Sequence, residues 1–299
     1  MPAGPRRCSA ADRAGWDRQA GNGRGMTALV PRGALLAFFA PGIAVFTLFF
    51  LLPLGLILAE AWSDGGVAFA ALPSDRVFWN GLAGSLLIGT VAPGISLVVG
   101  FLVAMALARM SPARRTAALF AISLPLTFSG LIVAYGFILL LGRAGFVTQL
   151  LAYLGVDPAV AGGFIFSPAG LGLAYSYYLI PRVVLIVLPA LRNFDPAQLA
   201  AARSLGAGPL RRIVDVLLPQ IVPSLLAAYC LTAAVAIGAY GTALALVGTQ
   251  VNILPLLLYS KISETGTDLP SAAAISIVLV ALCSLVIVLG EALSGRRRR

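Results

Sequence analysis

The chain has 299 residues, 60% of them hydrophobic and only 11% charged, with a net charge of +10. A soluble domain carries about 25% charged residues, so this composition points to the membrane. Histidine is absent, which excludes a His-based proton relay, metal site or catalytic triad.

Residues 1–33 place Arg6, Arg7, Arg13, Arg18, Arg24 and Arg32 among Gly, Ala and Pro. The stretch has no hydrophobic period and is predicted to be a disordered basic tail. From Ala34 to Ala59 no charge occurs. That run is longer than the roughly 7–15 apolar residues of a signal peptide, so it reads as a retained first span. A helix needs about 20 apolar residues to cross the hydrocarbon. By that test spans are predicted at 34–59, 81–108, 117–142, 166–190, 221–248 and 270–292, a six-span domain over 34–293. Residues 294–299 form a second basic tail. Pro41, Pro53, Pro93, Pro125, Pro168, Pro181 and Pro189 lie in or near the spans. Each frees backbone groups that neighbours or water must satisfy. That suits a bundle with a path through it, and is also common in membrane helices.

The arginines set the predicted orientation. With the first tail inside, the inside segments hold 17 basic residues, and the outside ones only Arg76, Arg143 and Lys261. Such a bias puts both termini in the cytoplasm. The basic tails then face anionic lipid of the bilayer, not nucleic acid. Among the outside loops, 60–80 carries Trp62 and Trp79 for the interface belt. Phe146–Leu154 and Ile253–Tyr259 are predicted short helices, the second at the outer mouth. All these loops are too short to form a receptor domain.

The fourth span, after Tyr175, Tyr177 and Tyr178, holds Pro181 and then Arg182. An arginine at membrane depth costs roughly 2.5–3.5 kcal/mol on insertion scales and should face the bundle interior. Two readings stand. Arg182 is a pathway or gate residue, or it is structural, bonded to carbonyls freed by Pro181 or Pro189 or snorkelling to the cytoplasmic side. Tyr178 and Tyr240 are candidate pathway residues beside it, with Thr242 and Thr249. Gly81-x-x-Gly84 and Gly238-x-x-Gly241 are predicted to allow close helix approach.

Residues 195–220 are the longest polar interruption between the spans. They read as two short helices with a glycine break. Asp195 caps the first and Pro196 suits its first turn. Gly206 falls where a left-handed C-terminal cap belongs. Pro209 starts the second, in which Leu210, Ile213, Val214 and Leu217 make one apolar stripe, with Arg211, Arg212 and Asp215 facing away. Pro219 marks the exit. Such a knob suits docking onto a soluble partner.

The three cysteines, Cys8, Cys230 and Cys283, form no CxxC and imply no disulfide framework. No G-x-x-x-x-G-K-[ST] occurs, so the chain is not its own ATPase by that route. No cofactor is implied.

Residues 200–219 resemble the cytoplasmic loop of permease subunits of binding-protein-dependent ABC importers. That pattern is E-A-A, three residues, Gly, nine residues, then I-x-L-P. Here Ala201-Ala202, Gly206, and Val216-Leu217-Leu218-Pro219 keep the spacing, while Ala200 stands for the usual Glu and Val216 for Ile. The resemblance implies an all-α, type I importer permease in a bacterial inner membrane. It implies that Ala200, Ala201, Ala202, Gly206, Leu210, Arg211, Val216, Leu218 and Pro219 couple to a cytoplasmic ABC ATPase dimer. A second permease subunit, identical or related, and an extracytoplasmic substrate-binding protein complete the assembly. Leu124-Pro125, Ala134–Phe137 and Asn252–Pro255 are similar to the group handling polyamines, thiamine, ferric iron and aminoethylphosphonate, so a spermidine/putrescine-like solute is expected. The absence of acids inside the spans opposes a polyamine. A secondary transporter or channel is the alternative, though coupling-ion acids and histidines are missing from the spans. A membrane scaffold would keep the knob and need no path.

Overall fold

The computed structural model describes residues 32–248, 251–263 and 268–296, and every regular element among them is helical. Among the described residues six stretches are long and apolar enough to cross a membrane: Phe39–Ala61, Arg76–Ala108, Gly130–Tyr153, Pro168–Arg192, Pro209–Ile237 and Leu269–Gly295. The chain divides into two compact units, Met1–Leu56 and Ile57–Arg299. Arg32 and Gly33, expected in the first tail, are already helical; residues 1–31, Thr249, Gln250, 264–267 and 297–299 lie outside the described residues.

In the first unit, α1 (Arg32–Phe46) continues through a π turn, Thr47–Leu51, into the start of α2 (Leu52–Ala61). The π turn stands just before Leu52-Pro53. Proline has no N–H for the carbonyl four residues back, and its ring crowds that carbonyl. A wider turn relieves the crowding, and Leu52 N–H donates instead to Thr47 O.

The second unit runs α3 (Val67–Ala71), α4 (Arg76–Ala108), α5 (Pro112–Ser123), α6 (Gly130–Leu141), α7 (Phe146–Tyr153), α8 (Pro158–Gly163), α9 (Pro168–Arg192), α10 (Pro196–Ser204), α11 (Pro209–Arg212), α12 (Leu218–Ile237), α13 (Gly241–Val247), α14 (Leu254–Ser263) and α15 (Leu269–Arg296). Local chemistry starts several of them. Asp75, Asp157 and Ser167 each accept from a backbone N–H of the first turn they precede, satisfying a donor that has no partner within the helix.

The centre of this unit is α9, with 61% of its apolar window buried against 39% or less for the others. One half, Leu171, Tyr175 and Leu179, packs with Val133 and Ala134 of α6 and with Leu246 of α13. The other half, Val183, Val184 and Val187, packs with Ala104 and Leu107 of α4 and Ala228 of α12. A third cluster joins Phe78 and Leu254 to Ala274 and Ile275 of α15.

Two predicted spans are broken. The third, 117–142, stops at α5, passes through a 3-10 turn at Leu124–Thr127 and an extended Phe128, and restarts at α6. Pro125 ends the ladder, and Ser129 caps the restart by accepting from Ile132 N–H. The apolar stretch then crosses a turn at Gly142–Gly145 into α7. The fifth, 221–248, ends at Ile237, and α13 is separate. This break exposes the Ala239 carbonyl, and the fully buried Tyr175 donates its hydroxyl to it at 2.7 Å. Tyr175→Phe keeps the ring and orphans that carbonyl. We expect a loss of roughly 1–3 kcal/mol, read as a lower melting temperature of the purified protein; an unchanged melt refutes the cap.

Gly238 and Gly241 flank this same break. A Cβ at either meets nothing closer than 3.6 Å, so they do not mark tight helix packing as expected. Gly84 does mark a close approach, and its neighbour is backbone near Asn252, not another helix. Phe146–Tyr153 and Leu254–Ser263 form the two short helices expected in the loops. Cys230 and Cys283 are free thiols, half-buried; Cys8 lies outside the described residues.

Candidate functional site

The two breaks meet around one cavity of about 410 Å³. Its walls come from Pro125, Phe128 and Ser129 before α6, Tyr178 and Arg182 of α9, and Gly238, Tyr240 and Thr242 between α12 and α13. A continuous helix would have filled this space with its own side chains and closed its own hydrogen bonds. The irregular backbone supplies the room and the polar surface. All three predicted pathway residues, Tyr178, Arg182 and Tyr240, line it together. Thr242 joins them, and Thr249 lies outside the described residues.

Arg182 is the one charged residue in this lining. Its Nη1 donates to Tyr178 O at 2.8 Å, and its Cζ lies 5.4 Å from the Tyr178 ring centroid. The bonded carbonyl is Tyr178's. The carbonyl freed by Pro181 is Tyr177's, four residues back. The bond goes to the backbone of its own helix one residue from that carbonyl, so it is compatible with a structural arginine as well as with a pathway residue. Tyr178 is 8% exposed; its hydroxyl lies against the Thr242 side chain outside good hydrogen-bond geometry. Tyr177 points elsewhere, edge-on to Phe137.

The polar interruption folds as an elbow. Asp195 accepts from Ala197 N–H at 2.9 Å, with Pro196 in the first turn of α10. At the far end Gly206 takes φ +81°. Its N–H donates to Arg203 O at 3.0 Å, and Ala207 N–H donates to Ala202 O at 3.1 Å. That pair of bonds is the Schellman arrangement. A Gln220–Gln198 side-chain hydrogen bond ties α10 to the foot of α12. Ala200 and Ala201 are exposed and Ala202 half-buried.

The second elbow helix is not separate. Helix α11 passes through a π turn, Ile213–Leu217, straight into α12. Leu218-Pro219 follows the turn, and Leu218 N–H donates to Ile213 O, the same arrangement as at Pro53. The wider turn shifts the register, so the expected stripe splits. Leu217 is buried, whereas Leu210 is 73% and Val214 47% exposed. Arg211 pairs with Asp215 at 3.1 Å on the surface. Arg212 turns partly inward, with its Nε sealed from solvent. Val216 and Leu218 are half-buried and Pro219 is exposed.

Sequence reasoning missed Phe128 and Ser129. The only signal for Ser129 was a Ser-Gly pair three residues after Leu-Pro-Leu, where a cap can restart a helix.

Comparison with known proteins follows the same lines. Residues 96–299 match the family described as binding-protein-dependent transport system inner membrane component. The chain is 27% identical over 267 residues to the sulfate transport system permease protein CysW of Synechocystis sp., covering 88% of this chain and 95% of that one. It is 29% identical to the spermidine/putrescine transport system permease protein PotB of Haemophilus influenzae, over 71% and 72% of the two chains. Among solved structures, a bacterial alginate ABC transporter in complex with an alginate pentasaccharide-bound periplasmic protein superposes with a TM-score of 0.73 at 18% identity, covering 88% of this chain and 94% of that one.

Proposed function

The chain belongs to the binding-protein-dependent transport system inner membrane components and is a multi-pass permease subunit of an ABC importer; from that premise we propose that its cavity is a stretch of the solute path and its elbow the point where an ATPase pushes. The observation that carries this is one helical run from Pro209 to Ile237. It begins in the elbow and ends at Ile237, between Val235 and Gly238, which line the cavity. At 1.5 Å per residue the run is roughly 40 Å long. A displacement at its foot reaches the cavity without crossing a flexible joint.

In this reading both termini lie on the cytoplasmic side with the elbow. A pair of ATPase subunits grips the elbow, and nucleotide-driven closure moves it. Leu205 and Leu210, 88% and 73% exposed, are apolar knobs free to enter a groove on that partner. A second permease subunit completes the path, and an extracytoplasmic binding protein delivers the solute. Ala200 removes one carboxylate contact and leaves the capped helix intact. A spermidine/putrescine-like solute has a relative's name behind it. Against it stands a cavity lined without any acid and with one arginine.

The test is co-purification with the nucleotide-binding subunit. Leu210→Asp puts a charge on the exposed knob while touching no buried contact. We expect the recovered ATPase to fall at least fivefold; full recovery refutes the elbow as the docking point.

A further inference from the structure

We propose that the solute crossing this cavity presents a compact oxyanion group, sulfate- or phosphonate-like, and that Arg182 is its counter-charge; this rests on reading the cavity as the solute path. The lining contains one guanidinium and no carboxylate. Among the described residues the ion pairs are Arg211–Asp215 and Lys261–Asp268, so Arg182 has no acid of its own. Of the five N–H donors a guanidinium carries, one is spent on Tyr178 O. The Tyr178 ring holds the group from one side, leaving the remaining donors for a ligand.

The rest of the wall is of the same kind. Ser129 and Tyr240 offer hydroxyls. Gly130 and Leu131, also in the lining, are the first residues of the twelve-residue α6. Their N–H groups precede the first intrahelical bond, which Val133 N–H makes to Ser129 O. Ile132 N–H is taken by Ser129 Oγ. The helix end adds a partial positive charge. The Tyr178 hydroxyl is turned away from the cavity, sealed against the Thr242 side chain, so the free donors of the wall are those of Arg182, Ser129, Tyr240 and the start of α6. A wall of donors around a fixed cation selects an acceptor-only group with negative charge. An ammonium would bring donors and like charge to the same place. At about 30 Å³ per water, the cavity holds on the order of a dozen waters, so a small hydrated oxyanion fits.

The experiment uses the whole importer in proteoliposomes: this chain with its ATPase and binding protein. Labelled sulfate, inorganic phosphate and 2-aminoethylphosphonate are compared with spermidine for ATP-driven accumulation. We expect at least one oxyanion to accumulate and spermidine not to. In Arg182→Gln that uptake falls at least tenfold, and in Arg182→Lys it returns to within about threefold of the parent. Spermidine uptake, no oxyanion uptake by a complex that hydrolyses ATP, or a Gln variant within twofold of the parent each overturns the proposal. So does equal loss in Gln and Lys variants that still co-purify with the ATPase, because charge is then not what matters. Absence of an ATPase from the purified complex is a separate result, seen before any uptake is run, and it removes the permease reading along with this one.

Discussion

Gly206→Val is expected to reduce ATP-driven uptake at least tenfold while leaving the spans inserted and folded. Gly206 holds φ +81°, a region that costs an L-residue roughly 1–2 kcal/mol, and more for a β-branched one. A Cβ there meets no atom within 4 Å, so the penalty is purely conformational. The cap relieves it by unwinding, which breaks the bonds from Gly206 and Ala207 back to Arg203 and Ala202. Helix α10 then loses its set angle to α11. The Gln198–Gln220 bond alone is too weak to hold the elbow rigid. Gly206→Asn, which tolerates the left-handed region, should keep most of the uptake. Equal, full uptake in the Val and Asn variants would show that the elbow transmits nothing.

The elbow's first half was legible because every determinant is local. Asp195, Pro196 and Gly206 act on residues within four positions of themselves, and their residue types carry the instruction. The number of apolar stretches was legible for a similar reason, since twenty consecutive apolar residues have few other fates. The breaks at Phe128 and Tyr240 were not. The residues on either side stay apolar, so hydropathy runs straight through. What stabilises the second break is Tyr175, 64 positions from the carbonyl it caps. The split of the Leu210–Leu217 stripe was hidden for another reason. An α-helical period was assumed, and Pro219 forces a π turn that changes it. Arg182, Tyr178 and Tyr240 were found one at a time by their chemistry. Only the two breaks bring them to one wall, which is why Ser129, silent within an apolar run, was not named with them.

Gly84→Ala should be among the most damaging single methyl groups this chain can receive. The ideal Cβ falls 2.1 Å from Asn252 O and 3.3 Å from its carbonyl carbon. Those atoms are backbone, so no rotamer change clears them. The segment cannot easily retreat, because Leu254 N–H donates to the buried Ser85 Oγ at 2.8 Å and Leu254 itself is fully buried in the third core cluster. Alanine gains about 1 kcal/mol in helix propensity over glycine. Overpacking against fixed backbone typically costs 1–3 kcal/mol and occasionally more, and here displacement also strains the Ser85 bond. The clash therefore wins, with an expected net loss of about 2 kcal/mol. Gly81→Ala is the control one turn earlier, where the nearest atoms lie at 3.6 Å, an ordinary contact, and it should be neutral or slightly stabilising. Melting curves of the two variants decide the matter. If Gly84→Ala melts with Gly81→Ala, the close approach of Asn252 to α4 is not a feature of the folded protein.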